Sequence, residues 1–432
     1  MDKRLIIITY YWPPSGGSGV QRWLKFVKYL CKQGWEPWIF TPENPSFTIR
    51  DESLMKDMPL QAEVIKLPIW EPYQAFFRVM KFFGRKPTGQ TDFVSTQRPG
   101  FLQRVSTWVR GNLFIPDARK FWIKPSVAFL SDLIATNQID KIITTGPPHS
   151  IHLIGLRLKK KYPHIKWVAD FRDPWSEWDL LDSLLLTHWA RRKHQALERD
   201  VLTMADRVIT IAPYHVKRLE MRGNRKVDLI TNGFDPDDFA QIQPIRTDKF
   251  TIRHIGIVDE LRDPKSMMLA LNNLLEDRPE LASDFKVEFV GNVNSAFKTW
   301  VASKPTLSQI TGFVSYVPHS ELPALFAQTD LQLLVLARTA LAPGNLPGKF
   351  FEYLASGKPI LAIGPTVGDA ASILHETEAG QIFEHENLQG IKQFLSDQFQ
   401  AWARGEIKRT QGSLRYSREQ LTAQLIKLLK SL

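Results

Sequence analysis

One cysteine among 432 residues, Cys31, leaves no partner for an intrachain disulfide and no thiolate set for a structural zinc site. A lone thiol fits a reducing, cytoplasmic setting. Long apolar runs are missing as well. The run LQLLVLA at 331–337 falls far short of the ~18 residues that a bilayer-spanning helix needs. Met1-Asp2-Lys3-Arg4 leads at once into a strand-like run, so no signal peptide is expected. Acidic excess is lacking too: the formal net charge is +11.

What is present is a chain long enough for two domains of roughly 200 residues each. With 43% hydrophobic and 23% charged residues it is globular in composition. The positive charge is unevenly placed. Residues 1–250 hold 38 Lys and Arg against 26 Asp and Glu, a net +12, whereas residues 251–432 hold 18 against 19. The first half therefore suits an anionic partner. Nucleic acid and an anionic membrane leaflet both satisfy that requirement.

Arg4 to Thr9 (RLIIIT) is a short apolar run suited to a buried parallel strand. Ser15-Gly16-Gly17-Ser18-Gly19 follows as a glycine loop, and the apolar spacing of Trp23, Leu24, Val27 and Leu30 predicts a helix over 20–30. Strand, glycine loop and helix form the first unit of a doubly wound domain, with the loop at the carboxyl end of the strand. Arg22 stands where a dinucleotide fingerprint would need its third glycine, so a nicotinamide or flavin site is rejected. A second strand is expected at 38–41. Residues 43–125 are rich in aromatics and do not form one compact α/β repeat. Within them Tyr73, Phe76, Phe77, Met80 and Phe83 fall at helical spacing with Arg78, Lys81, Arg85 and Lys86 interleaved. That stripe reads as core packing or as an interfacial helix.

Regular order returns with a strand at 139–145 stopped by Gly146-Pro147-Pro148, then a helix from His149. The next strand, 166–169, delivers Asp170, Arg172 and Asp173. Polar side chains at the ends of parallel strands converge on one crevice, which singles out His149, Asp170, Arg172 and Asp173. Asp235-Pro236-Asp237 follows Asn-Gly and precedes the connector QPIRTDKF, so a linker is favoured there over a metal site. No bound metal is expected.

In the second half a strand is expected at 250–257, and Gly256, Arg262 and Lys265 sit at the strand-to-helix turn there, which is suited to phosphate. Residues 345–364 (NLPGKFFEYLASGKPILAIG) place Pro347-Gly348 before a short helix that Gly357 ends, with Pro359 beyond it. Free backbone N–H groups at the helix start and the charge of Lys349 favour an anion, and Glu352 lies near the same face. An ordinary surface helix with an internal ion pair accounts for the same spacing.

PGKFFEYLASGKPILA resembles the nucleotide-sugar motif of glycosyltransferase family 4, retaining enzymes of the GT-B fold. The blocks NLFIPDARKFW, TTGPPHSIHLIG, WVADFRDPW and ITNGFD resemble a bacterial branch of that family. The likeness spans nearly the whole chain and is thinnest over 43–110. It implies an α/β architecture of two Rossmann-like doubly wound domains facing across a cleft. These are an acceptor domain over 1–245, a donor domain over 246–412, and a terminal helix, 413–432, returning to the first domain. By the same resemblance Glu352 holds the donor ribose, and Gly348 and Lys349 the diphosphate. Gly256 and Arg262 join them at the phosphate, and the loop at Val317 reads the base. Gly16 and Gly17 approach the donor phosphate or acceptor, and His149 lies near the donor sugar with Asp173 beside it in the catalytic set. Two departures stand out. Gly344 occupies the place of an upstream glutamate, and Ile257 that of a basic residue.

The implied activity is transfer of a hexose-type sugar, with retention, from a nucleotide diphosphate donor to a glycan or lipid-linked acceptor, as in cell-surface polysaccharide or glycolipid synthesis. Arg262 and Lys349 stabilise the departing diphosphate, and no cofactor or metal is needed. A cytoplasmic protein held peripherally at the inner face of the plasma membrane is the expected setting. Two rivals remain: a nucleotide-sugar epimerase of the same fold and a basic nucleic-acid-binding protein. Aromatics in apolar helical stripes and the lack of a nucleic-acid motif count against the latter, so no nucleic acid partner is expected.

Overall fold

The computed structural model describes residues 2–47, 49–72, 101–240, 245–406 and 413–432. The stripe from Tyr73 to Lys86 lies outside the described residues. The chain divides into two compact units, the first made of Met1–Thr231 with Thr422–Leu432 and the second of Asn232–Leu421. The helix Arg418–Lys430 begins in the second unit and ends in the first.

The first unit is built on a parallel sheet of β1 (Arg4–Ile8), β2 (Glu36–Pro42), β3 (Glu63–Leu67), β4 (Lys141–Gly146), β5 (Lys166–Phe171), β6 (Arg207–Thr210) and β7 (Asp228–Leu229). Their order is β3-β2-β1-β4-β5-β6-β7. The central strands are apolar along their length because helices cover both sheet faces. Leu5, Ile6, Ile7 and Ile8 are all fully buried, as are Ile142 and Ile143. The helix Ser18–Lys32 buries Trp23, Leu24, Val27 and Leu30 on one face. It starts two residues earlier than its apolar spacing suggests, because Gly17 turns the chain into it with φ of 87°, a conformation that glycine alone adopts without strain.

The second unit repeats the plan with β8 (Phe250–Ile255), β9 (Phe285–Val290), β10 (Thr311–Val314), β11 (Leu331–Val335), β12 (Ile360–Ile363) and β13 (Gly380–Phe383). These strands are ordered β10-β9-β8-β11-β12-β13, again all parallel. Its core packs Phe250, Val287, Phe289 and Leu333 against Leu271 and Leu274 of the helix Lys265–Asp277.

Both sheets reverse their strand order at one place, between β1 and β4 in the first and between β8 and β11 in the second. At such a switch the loops leaving the two central strands run to opposite sides and open a crevice at the strand ends. The glycine loop after β1 and the Gly146-Pro147-Pro148-His149 turn after β4 therefore flank the first crevice. Gly256 follows β8 at the second.

Candidate functional site

Each unit holds a cluster of candidate functional side chains at its switch point. In the first, Arg172 leaves the end of β5 and ties the two flanking loops together. Its guanidinium donates to the carbonyls of Gly146 (3.2 Å) and Pro147, and to that of Gly19 (3.2 Å). Gly16 lies against the chain that follows β2: its N–H donates to Ile49 O at 2.9 Å, and a Cβ there would fall 2.8 Å from Ile49. The glycine loop is thereby held close to the β4 turn.

His149 sits at the start of the helix Ser150–Lys161. Its ring lies parallel to the indole of Trp175, with centroids 4.9 Å apart and planes within 2°. Both ring nitrogens are buried and neither has a hydrogen-bond partner among the described residues. Burial, with smaller contributions from His152, His194 and Arg172, pushes its pKa well below the ordinary value. His149 is thus a neutral imidazole at pH 7, with one donor and one acceptor unspent. Asp173 makes no hydrogen bond among the described residues, and burial raises its pKa against the opposing pull of Arg172. An unpaired imidazole and an unpaired carboxyl suit a hydroxyl-rich ligand.

Trp175 is itself fixed from behind. Its Nε1 donates to His194 Nδ1 at 3.0 Å, and its backbone N–H donates to Glu198 at 3.1 Å. Accepting at Nδ1 places the His194 proton on Nε2, and burial lowers its pKa to about 4. Arg222 neutralises Glu198 at 3.3 Å. Sequence spacing could not reveal this support, since its members come from the β5 end and two later helices.

Asp170 departs from expectation. It points into the unit, where it accepts from Arg22 Nε (3.1 Å) and Nη2 (3.0 Å), Trp23 Nε1 (2.7 Å) and Thr145 Oγ1 (3.0 Å). With both sides of the Arg22–Asp170 pair buried and these bonds made, it anchors the helix after the glycine loop to β5. Arg22 also donates to Thr231 O at 2.8 Å. The residue that rules out a dinucleotide loop is the counter-ion of this anchor.

In the second unit the helix Gly348–Ser356 starts after Pro347 and is stopped by Gly357 in the left-handed conformation. Lys349 reaches back to the end of β8. Its Nζ donates to Ile255 O at 2.9 Å and lies 3.3 Å from His254 Nε2. His254 Nδ1 faces Leu333 O at 2.9 Å, which places its proton on Nδ1 and leaves Nε2 as the lone-pair partner of the ammonium. Burial and the charge of Arg262 push the Lys349 pKa down to about 7, against the opposing charges of Glu352 and Asp259. Gly256, with φ of 130°, lets the chain pass this ammonium: a Cβ there would lie 3.0 Å from Nζ. Around Gly348 a Cβ would meet nothing within 4 Å, so the helix start is open.

Glu352, one turn further on, accepts from His319 Nε2 at 3.0 Å when that nitrogen carries the proton. His319 follows the loop that holds Val317, and links it to the motif helix. Arg262 pairs with Asp259 at 2.6 Å, and the same carboxylate accepts the Arg262 backbone N–H at 2.8 Å. The turn after Gly256 thus closes on itself, and part of the Arg262 charge is neutralised inside it. Lys349, Glu352, Gly256 and Arg262 form one electrostatic cluster. His254 and His319 belong to it and escaped sequence reading, because their partners lie 95 and 33 positions away.

Among the described residues no group of three His, Cys, Asp or Glu side chains is placed to hold a metal ion. Asp235 instead caps a short turn, accepting from Asp237 N at 3.1 Å.

No family model matches this chain, and no curated protein matches it. Solved structures do. Sucrose-phosphate synthase from Thermosynechococcus elongatus superposes with a TM-score of 0.63 at 14% identity, covering 99% of this chain and 98% of that one. WaaG, a glycosyltransferase involved in lipopolysaccharide biosynthesis, gives 0.57 at 14% identity over 98% and 99%. A putative UDP-N-acetylglucosamine 2-epimerase from Listeria monocytogenes gives 0.58 at 10% identity over 100% and 96%. These likenesses define the class of fold: it is the two-domain α/β GT-B fold of nucleotide-sugar glycosyltransferases. At identities this low they speak for the fold, and the chemistry rests on the two clusters.

Proposed function

We propose that the protein is a retaining glycosyltransferase of family 4 type, moving a hexose-type sugar from a nucleotide diphosphate to a glycan or lipid-linked acceptor. The observation that carries this reading is Lys349. Its ammonium is packed against Gly256 at a switch-point strand end, beside an open helix start, with Glu352 one turn away. A buried cation next to free backbone N–H groups is suited to a diphosphate, and a carboxylate at that distance is suited to the ribose hydroxyls.

In this mechanism the acceptor oxygen bonds to the anomeric carbon as the bond to the diphosphate breaks, on the same face of the sugar. The acceptor proton passes to a diphosphate oxygen. Negative charge grows on the leaving group, so Lys349, the amides at Gly348 and an Arg262 released from Asp259 act chiefly in the transition state. Val317 lies on the loop assigned to the base. In the first unit Gly16 and Gly17 line the acceptor side, neutral His149 bonds to sugar hydroxyls, and Asp173 orients the incoming one. No cofactor or metal enters this scheme. A role in cell-surface polysaccharide or glycolipid synthesis, from the cytoplasmic face of the membrane, fits the basic first half and the expected acceptor.

A thermal-shift panel of nucleotide sugars and free nucleoside diphosphates tests the donor site, since a ligand that binds only the folded state raises its melting temperature. At least one donor should stabilise the wild type. Glu352→Ala should weaken that donor by about 1.5–3 kcal/mol, roughly ten- to a hundredfold. Unchanged affinity in the variant removes Glu352 from the site. Incubating the stabilising donor without acceptor then separates the readings, because an epimerase would form the epimer and a transferase would not.

A further inference from the structure

The first unit carries an exposed aromatic surface that the transfer chemistry does not use. Trp70, just beyond β3, is 58% exposed and meets Phe121 edge-on with centroids 4.8 Å apart. Phe121 in turn meets Phe114 at 6.1 Å. Lys120 lies over both rings, its Nζ 5.2 Å from the Phe121 centroid and 5.5 Å from that of Phe114. Trp189, 61% exposed, carries Lys193 over its face at 4.8 Å. The helix Phe101–Leu113 joins the same surface through Asn112, which accepts from Thr187 N and donates to Leu185 O. It adds exposed Trp108 and Leu113.

The charges on this surface are of one sign. Burial and the nearby charge of Lys193 lower the Lys120 pKa, which places the two ammonium groups within each other's field. No ion pair joins either lysine to a carboxylate among the described residues. The acidic neighbours are engaged elsewhere: Glu71 with Arg119, Asp182 with Arg191, and Asp117 with the Ser150 backbone and hydroxyl. Large exposed aromatic rings interleaved with lysines that form no ion pair, Lys193 and Lys120, the latter donating from Nζ to Leu113 O at 2.5 Å, match a layer that is apolar below and anionic at its surface. Lysine stems can lie along the rings while their heads reach phosphate. A second copy of this chain fits less well, since a two-fold contact would bring like charges together.

We propose that this face of the first unit seats on an anionic lipid bilayer, with Trp70, Trp108, Phe121 and Trp189 in the headgroup layer and Lys120 and Lys193 on lipid phosphates. The proposal draws its purpose from the lipid-linked acceptor reading, but the binding itself needs neither donor nor acceptor. It also places the contact on residues distinct from the stripe at 73–86.

Co-sedimentation with phosphatidylcholine vesicles, with and without phosphatidylglycerol, tests it. The wild type should bind the anionic vesicles at low salt and be released at high salt. The double variant Lys120→Gln/Lys193→Gln should partition about thirtyfold less, and Trp70→Ser/Trp189→Ser should also bind weakly. Lys286→Gln/Lys392→Gln, an equal charge change in the second unit, should bind as the wild type does. Melting temperatures and donor-induced shifts serve as the check that each variant is folded. Wild-type binding by the Lys120/Lys193 variant, an equal loss in the control pair, or equal binding to neutral vesicles overturns the proposal. So does concentration-dependent self-association, abolished by the Trp changes, in a protein that ignores vesicles. Donor binding without vesicle binding sinks this surface alone, and vesicle binding without any donor sinks the transferase reading alone.

Discussion

A lysine whose pKa has fallen to about 7 is half neutral in the free protein at neutral pH. In the proposed donor site an arriving diphosphate would favour the ammonium and lift that pKa, so binding above pH 7 would draw a proton from solution. Affinity for a nucleotide sugar, whose diphosphate diester does not titrate in this range, should be flat below pH 7 and fall as pH rises above it, by up to about tenfold per pH unit. The fall should stop at the higher pKa of the complex. Calorimetry in two buffers of different ionisation enthalpy would show the proton uptake. Lys349→Arg should flatten the pH profile, because a guanidinium stays charged throughout. A profile of equal slope in wild type and Lys349→Arg assigns the titration to another group. His254 is a poor candidate, as burial and the Lys349 charge keep it neutral across this range.

At the scale of elements, what was legible in the chain was local. The glycine loop, the Pro-Pro turn before His149, and the Gly348-to-Gly357 helix announce themselves within about a dozen residues, because caps and turns demand particular backbone conformations. Pairings across the sheet were not legible. Arg22 meets Asp170 over 148 positions, and Trp175, His194 and Glu198 meet only when β5 and the helix His188–Met204 pack. A place at a strand end predicts Asp170 in the crevice, but hydrogen bonds to Arg22, Trp23 and Thr145 draw it inward instead. Spacing carries no trace of such pairs. The Arg22–Asp170 anchor has a measurable weight. Arg22→Met should leave a buried carboxylate without its counter-ion and lower unfolding free energy by about 3–5 kcal/mol in urea titration. A loss under 1 kcal/mol, roughly the worth of a surface pair, would show that Trp23 and Thr145 suffice to hold the charge.

Across the molecule, the charge is divided as the proposed chemistry is: +12 over residues 1–250 and −1 over residues 251–432. In the proposed donor site Lys349, protonated when the diphosphate binds, and Arg262 supply the two cations that neutralise the leaving group. Transfer should therefore persist after exhaustive chelation, with turnover within about twofold of the untreated enzyme, well inside one tenfold step of barrier height. Activity lost in chelator and restored by magnesium or manganese would show that a divalent ion shares the diphosphate with these side chains.

The return of Thr422–Leu432 to the first unit has a consequence for how the protein is made. Leu425 and Leu429 are fully buried, so the first unit leaves apolar surface open until they arrive. A ribosome delivers them only after every residue of the second unit has been synthesised. The half begun first is thus finished last. In the interval its nascent form presents unfilled apolar surface to the cell, and chaperones would have their longest opportunity to act there.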